Sequence, residues 1–434
     1  MTMRGMIRLG LWFGSILLLL PAITASGFAA DRFVDPAAAP GGEGSHEAPW
    51  RDIQHVLDQK LIAPGDRLLL KGGNYGRVRI NDLAPPERVV IEAAGETPAV
   101  FEMIEIMRSR NVTLKGLTVT TGGNRQPGDR AHVRIDKQSR DITVEGLEIY
   151  TISDSSDWSA GEWDEKSLDG IFSEAENAEI RGNRLRNIRF GISTLGRRSV
   201  VAGNEVVNFA GDGLRGLGDD SLFEGNIVKN CYQVNDNHAD GFQSWSTGAD
   251  GRPGTGTIRN VTLRGNLFLN YEDFHQRYPC KMEGIGLFNG VYEGWTIENN
   301  IVIVNNWHGI SAFGMRASRI AHNTVMDIDY FPPGPAAITI ISLAGEAPAG
   351  RNLLINNVAN EINIEGDGVD AAGNIELDDL DDVFEDVDAG DYRLPKGSDV
   401  ISAGVPFSKV TTDFFGRPRA AGSGADAGAV ARAN

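Results

Sequence analysis

The sequence predicts an all-β chain wound as a right-handed parallel β-helix, a solenoid with a short N-terminal cap helix. Three observations lead there. A bend Asn recurs: Asn183, Asn204 and Asn226 each follow Gly and stand 21 and 22 residues apart, and Asn300 and Asn323, which follow Asn299 and His322, stand 23 apart. Each Asn follows a short alternating apolar run, as in Ile180-Arg181-Gly182-Asn183 and Leu263-Arg264-Gly265-Asn266. Glycine is abundant, 53 of 434 residues, while proline at 18 is ordinary, so tight turns are frequent in a chain that is neither collagenous nor Pro-rich.

Alternation of apolar and polar residues is the signature of a strand. Gly and Asn tolerate left-handed backbone angles, so Gly-Asn marks a sharp bend between strands. A unit of roughly 22 residues cannot bury its own apolar face, but stacked units can. Stacking pairs like strands in parallel at about 4.8 Å per turn. Asn residues at one bend then lie above one another and form an amide ladder. About ten such turns are expected. A leucine-rich repeat needs a more regular Leu pattern, and a propeller needs blades of about 40 residues.

Residues 1–29 read as a secretory signal. Arg4 and Arg8 precede an apolar run over 9–20, and Gly27-Phe28-Ala29 supplies a small-x-small cleavage site. Export to the periplasm or beyond the cell follows, with no membrane attachment after cleavage. Residues 30–85 hold the cap and first strands. The cap helix is expected within 47–61, where Ile53, Val56, Leu57 and Leu61 share one face. The solenoid body runs over 86–390 and a closing segment over 391–434. Residues 361–391 carry 13 acids, end the regular repeat and read as a solvated surface.

The formal charge is −18, and −20 without residues 1–29. Such a field repels nucleic acid and anionic lipid, and an acidic polymer would need a local basic patch. The chain is expected to act as a monomer. Cys231 and Cys280, 49 apart, are open to a disulfide or to two buried thiols.

The N-terminal segment resembles secreted right-handed β-helix proteins of the chondroitinase B and alginate lyase group. The matching residues are Phe33-Val34-Asp35-Pro36, Gly41-Gly42, Pro49-Trp50, Gly65-Asp66 and Gly72-Gly73-Asn74-Tyr75. The resemblance implies an exported β-helix and a polysaccharide as partner. It does not select a reaction, because the fold hosts lyases, hydrolases, epimerases and adhesins.

A second repeat points to a site. Asp169-Gly170-Ile171, Asp212-Gly213-Leu214, Asp240-Gly241-Phe242, Ile285-Gly286-Leu287 and His308-Gly309-Ile310 share one pattern. The apolar third residue faces the core, and the residue before Gly sits at a loop–strand junction. Asp169, Asp212, Asp240 and His308 therefore line one edge of one sheet. Insertions over 121–131, 151–168, 231–239, 271–284 and 327–336 rise beside it, as binding walls do on solenoids.

β-Elimination on a uronic-acid polymer needs a cation or metal at the carboxylate, a base, and an acid for the leaving oxygen. Asp240, His308, Arg215, His238 and Lys281 are the candidates for these roles. Gln243, Trp245, Trp307, Tyr278 and Arg277 are candidate sugar contacts. Asp169 and Asp212 could hold calcium, with Asp240 beside them. The alternative is a glycoside hydrolase using Asp212 and Asp240 as paired carboxylates. Asn237-His238-Ala239-Asp240-Gly241 is similar to a polygalacturonase motif, although the double-Asp motif on the following turn is missing. A non-catalytic polysaccharide-binding surface would use the same groove.

Overall fold

A computed structural model describes residues 29–432, apart from 274, 330, 343–350 and 421–423. The expected signal segment lies outside the described residues except for Ala29. The regular secondary structure is almost entirely strand, and neighbouring turns pair in parallel. One sheet contains 13 strands, one from each turn, and 23 further strands make the remaining faces. Thirteen turns exceed the expected ten because the first ones, such as Asp31–Val34, Arg67–Leu70 and Val89–Ala93, carry no Gly-Asn bend.

Three apolar columns fill the bore. One is Val144, Ile180, Val201, Phe223, Leu263, Ile297, Ile320 and Leu354, all in register and buried. A second runs Leu185, Val206, Val228, Phe268, Val302 and Val325. The third, beneath the site, is Ile171, Ile192, Leu214, Phe242, Ile285, Ile310 and Ile338.

The bends behave as the Gly-Asn pattern requires. Gly182, Gly203, Gly225 and Gly265 have φ of 61–63°, and Asn299 takes the same role at 56°. The following Asn residues form a continuous ladder through Asn183, Asn204, Asn226, Asn266, Asn300, Asn323, Asn357 and Asn374. In it each Nδ2 donates to the next Oδ1 at 2.8–2.9 Å.

The cap helix spans Ile53–Asp58, shorter than 47–61. Asp52 caps it by accepting from the Gln54 and His55 amides. Lys60, at φ 52°, ends it, so Leu61 falls outside the helix and is exposed rather than packed with Ile53, Val56 and Leu57. A second helix, Ala160–Lys166, lies in the 151–168 insertion and opens with a Ser159/Glu162 capping box. Its Trp163 stacks on Tyr232 at 4.8 Å, and Trp158 meets Trp163 edge-on. Both tryptophans are buried, so they join two insertions and offer no sugar platform.

Cys231 and Cys280 are bonded, with Cα atoms 5.5 Å apart. The bond ties the ends of the 231–239 and 271–284 walls, next to a Tyr232–Pro279 bridge. Closing 49 residues removes unfolded-state entropy equivalent to about 4 kcal/mol. A Cys231→Ser/Cys280→Ser variant is expected to lose stability of that order in urea denaturation, and a loss below about 1 kcal/mol would contradict this entropic account.

Residues beyond Leu380 run along the outside of the solenoid. Val383, Phe384, Val400, Ala427, Ala429 and Val430 cover an outward apolar stripe of Leu267, Leu269, Ile301, Ile303, Met326 and Val358. Arg419 anchors this segment through the Gly428 and Ala429 carbonyls and Asn299. The acidic strand Glu361–Glu365 is mostly exposed.

Candidate active-site groove

The groove runs along the sheet made by Gly73–Asn81, Ala99–Met107, Ala131–Ile135, Asp169–Ser173, Ile192–Thr194, Leu214–Gly216, Asp240–Trp245, Glu283–Asn289 and His308–Arg316. Nine turns at about 4.8 Å make a track about 40 Å long. Three hollows follow one another along it, of about 380, 460 and 610 Å³. Asp129 and Arg130 are shared by the first two. Arg215, in the second, lies over Trp245, in the third, at 5.5 Å.

Register corrects one turn of the sequence pattern. Phe242 pairs with Ile285, and Ile285 with Ile310. The repeat on that turn is therefore Glu283-Gly284-Ile285-Gly286, two residues earlier than Ile285-Gly286-Leu287-Phe288. A two-residue shift preserves which side chains face inward, so alternation alone does not expose it. The junction row on six successive turns becomes Asp169, Phe190, Asp212, Asp240, Glu283 and His308. Glu283 is the member that sequence reasoning missed, and Glu-Gly-Ile beside Asp-Gly-Ile was the available signal.

Three junction side chains contact the outward residue three positions on. Asp212 Oδ2 pairs with Arg215 Nε at 2.5 Å. Asp240 Oδ2 accepts from Gln243 Nε2 at 2.9 Å. His308 Nδ1 meets the Ser311 hydroxyl at 2.8 Å. On the Glu283 turn the outward position is Gly286, where a Cβ would fall 2.2 Å from Asp240 Oδ1. That bare position makes room for the Asp240 carboxyl.

Asp240 is the centre of the cluster. Its side chain is fully buried, and Oδ1 has no hydrogen-bond partner among the described residues. Its amide donates to Asp212 Oδ1 at 3.1 Å, which links the two turns. His238 Nδ1 lies 3.3 Å from Asp240 Oδ2 and 4.0 Å from Glu283 Oε2. Burial pushes the Asp240 carboxyl well up, against the pull of His238. Burial also raises Asp212, opposed by Arg215, and raises Glu283, opposed by His238. The hydrogen bond to Asp240 raises His238 to about 9, and the charges of Asp240, Glu283 and Asp212 add to it. His308 moves the other way: burial, then the charge of His238, lowers it from 6.5. The two groove histidines are thus shifted in opposite directions, His238 up and His308 down.

The third hollow is lined by His238, Gln243, Trp245, Glu283, Phe288 and His308 among others. Trp307 is exposed and its ring lies 5.7 Å from His308. Arg215 lies in the neighbouring hollow, over Phe190 at 3.7 Å. Lys281 is exposed and does not line these hollows, nor do Arg277 and Tyr278, which stack on each other at 5.0 Å.

The residues offered for calcium do not converge. Asp169 lines the second hollow, two turns from Asp212, whose oxygens are engaged by Arg215 and the Asp240 amide. The group with convergent ligand atoms is His238, Asp240 and Glu283. One imidazole and two carboxylates do not make the oxygen-rich cage that calcium prefers, so no step is routed through that ion.

A family model described as right handed beta helix region matches residues 169–374. No curated protein sequence matches the chain. Among solved structures the chain is similar to pectate lyase Pel9A, with 14% identity, a TM-score of 0.51, and coverage of 94% of this chain and 98% of that one. It is also similar to the Dettilon tailspike protein, with 14% identity, a TM-score of 0.51, and coverage of 78% and 67%. A rhamnogalacturonan lyase matches at 13% identity and a TM-score of 0.48, over 90% and 99%. At these identities the likeness is one of fold: the chain is a right-handed parallel β-helix.

Proposed function

We propose that this right-handed parallel β-helix is an exported, carbohydrate-active enzyme that cleaves an acidic polysaccharide by β-elimination. The observation that carries this reading is the pair of groove histidines with opposite shifts. Environments that drive two titratable groups apart mark an acid and a base. His308, neutral and with Nδ1 on Ser311, takes the proton alpha to the uronate carboxylate through Nε2. His238, cationic above the buried Asp240, offsets the charge that develops on that carboxylate and can return a proton to the leaving oxygen. Asp240 is a positioning residue that keeps His238 protonated. Gln243, Trp245 and Trp307 are placed to contact sugar rings.

The length of the track favours a polymer over a short glycan. The Cys231–Cys280 bond suits an oxidising compartment and supports export. Paired-carboxylate hydrolysis is less well served. Asp212 and Asp240 are 1% and 0% exposed, so neither presents an oxygen to a sugar in the groove.

The test is ultraviolet absorbance of unsaturated uronic ends while purified protein meets alginate, pectate, chondroitin and bacterial exopolysaccharides. New chromophore supports elimination. Reducing ends without it would instead support hydrolysis, and retained affinity with neither would support a binding module. The kcat/KM profile is expected to be bell-shaped. The base works only when neutral, so the acid limb lies below 6.5. The imidazolium is lost as pH rises through about 9, which sets the alkaline limb. A profile flat through pH 9 would remove His238 from this role.

A further inference from the structure

The second hollow is positive in a strongly acidic chain. Arg125, Arg130, Arg189 and Arg215 line it, with Phe172 and Phe190 as flat walls. Arginines elsewhere nearby are engaged. Arg181 pairs with Glu179, Arg184 with Glu205, and Arg197 and Arg198 with Glu176. Arg186 lies over Tyr150 at 4.1 Å and donates to the Ser153 carbonyl.

Arg130 and Arg189 differ. Neither forms an ion pair among the described residues. Arg130 stands 5.4 Å from the Phe172 ring centre, and Arg189 stands 5.5 Å from that of Phe190. Arg125 donates only to the carbonyls of Asp164, Glu165 and Ser167. Arg215 is held by Asp212 and stacks on Phe190. Two carboxyls share the hollow: Asp129, which is paired with Arg77 at 2.7 Å, and the partly buried Asp169, which burial pushes up to about 6 against the pull of Arg215, Arg189 and Arg130. Guanidinium groups set against aromatic faces, with donors left over, form a receptor for a planar or tetrahedral oxyanion.

We propose that this hollow is an anion subsite, in which Arg130 and Arg189, backed by Arg125 and Arg215, hold a carboxylate or sulfate on the bound chain several sugars from the one at His308. The turn of Phe190 lies four turns from that of His308, about 19 Å along the track. The subsite rests on the groove being a polysaccharide track. It adds that substrate must carry charge at a distance from the scissile unit. Oligosaccharides too short to reach the hollow gain nothing from it.

Affinity electrophoresis tests this without requiring turnover. Wild type and an Arg130→Gln/Arg189→Gln variant would be run through gels containing a polyuronate, a sulfated polysaccharide, or neutral dextran. At least one anionic polymer is expected to retard wild type, with apparent affinity falling tenfold or more in the variant. Which polymer responds distinguishes carboxylate from sulfate. The difference should shrink as salt rises, because the contacts are exposed and screened. Dextran behaviour and the melting temperature should not change. Equal retardation of variant and wild type would overturn the subsite, as would the absence of retardation of wild type by either anionic polymer. Normal binding with no unsaturated product would count against elimination and leave the subsite standing. Normal cleavage of long polymers by the variant with unchanged KM would do the reverse.

Discussion

Replacing His308 by alanine is expected to lower kcat on the polymer by ~10²–10⁴-fold, the usual contribution of a positioned general base. Folding should survive. His308 is half-buried on the outer face, and its Nδ1 contact is with Ser311 alone. Retardation in the affinity gel should stay near wild type, because the arginine hollow lies four turns away. A fall in kcat with binding intact separates chemistry from attachment. Removing the Ser311 hydroxyl should have a milder effect, since it frees the ring without deleting the base. If His308→Ala cleaves at the wild-type rate, the base is elsewhere and the elimination reading of this groove loses its centre.

Replacing Asn226 by alanine is expected to destabilise the solenoid by about 3–9 kcal/mol, at about 1–3 for each of three buried groups left without a partner. Its Oδ1 accepts from both the amide and the side chain of Asn204, at 3.0 and 2.9 Å. Its Nδ2 donates to Asn266 Oδ1 and to the Val201 carbonyl, both at 2.9 Å. Alanine leaves two donors and a carbonyl dry, and no water reaches a fully buried bend. Asn374, at the end of the ladder and only partly buried, should matter less when replaced in the same way. Urea denaturation of the two variants reads the difference. Near-equal losses would mean that the ladder is not a cooperative feature of the stack.

The ladder was legible in the sequence because its chemistry leaves few choices. A left-handed bend favours Gly or Asn, with His322 the exception along the ladder, and a stacked amide must be followed by another amide. The cap helix was legible from Ile53, Val56 and Leu57, but its end was not, because the left-handed turn at Lys60 carries no residue-type signal. The site was half legible. Asp212, Asp240 and His308 stand out beside Gly, whereas Glu283-Gly284-Ile285-Gly286-Leu287 contains two overlapping matches that only backbone pairing separates. Partners across turns were invisible. Arg189 reads like Arg184 in the chain, yet Arg184 pairs with Glu205 on the next turn, while Arg189 forms no ion pair among the described residues and stands against Phe190. The tryptophans divide for the same reason: Trp163 finds Tyr232 from another insertion, while Trp245 faces the groove.

The segment beyond Leu380 that seals the outer stripe also sets a timetable. A polypeptide is made from its N-terminus, and a solenoid can wind turn by turn behind the ribosome. Leu267, Ile301, Met326 and Val358, however, stay open until the residues beyond Leu380 arrive. Every chain therefore passes through a stage in which the barrel is wound but its flank is adhesive. A premature stop or a proteolytic nick in that strap freezes the molecule at this stage. Chaperones and proteases that patrol for greasy surface would then sort chains with the strap in place from interrupted ones by the presence of a few of its alanines and valines.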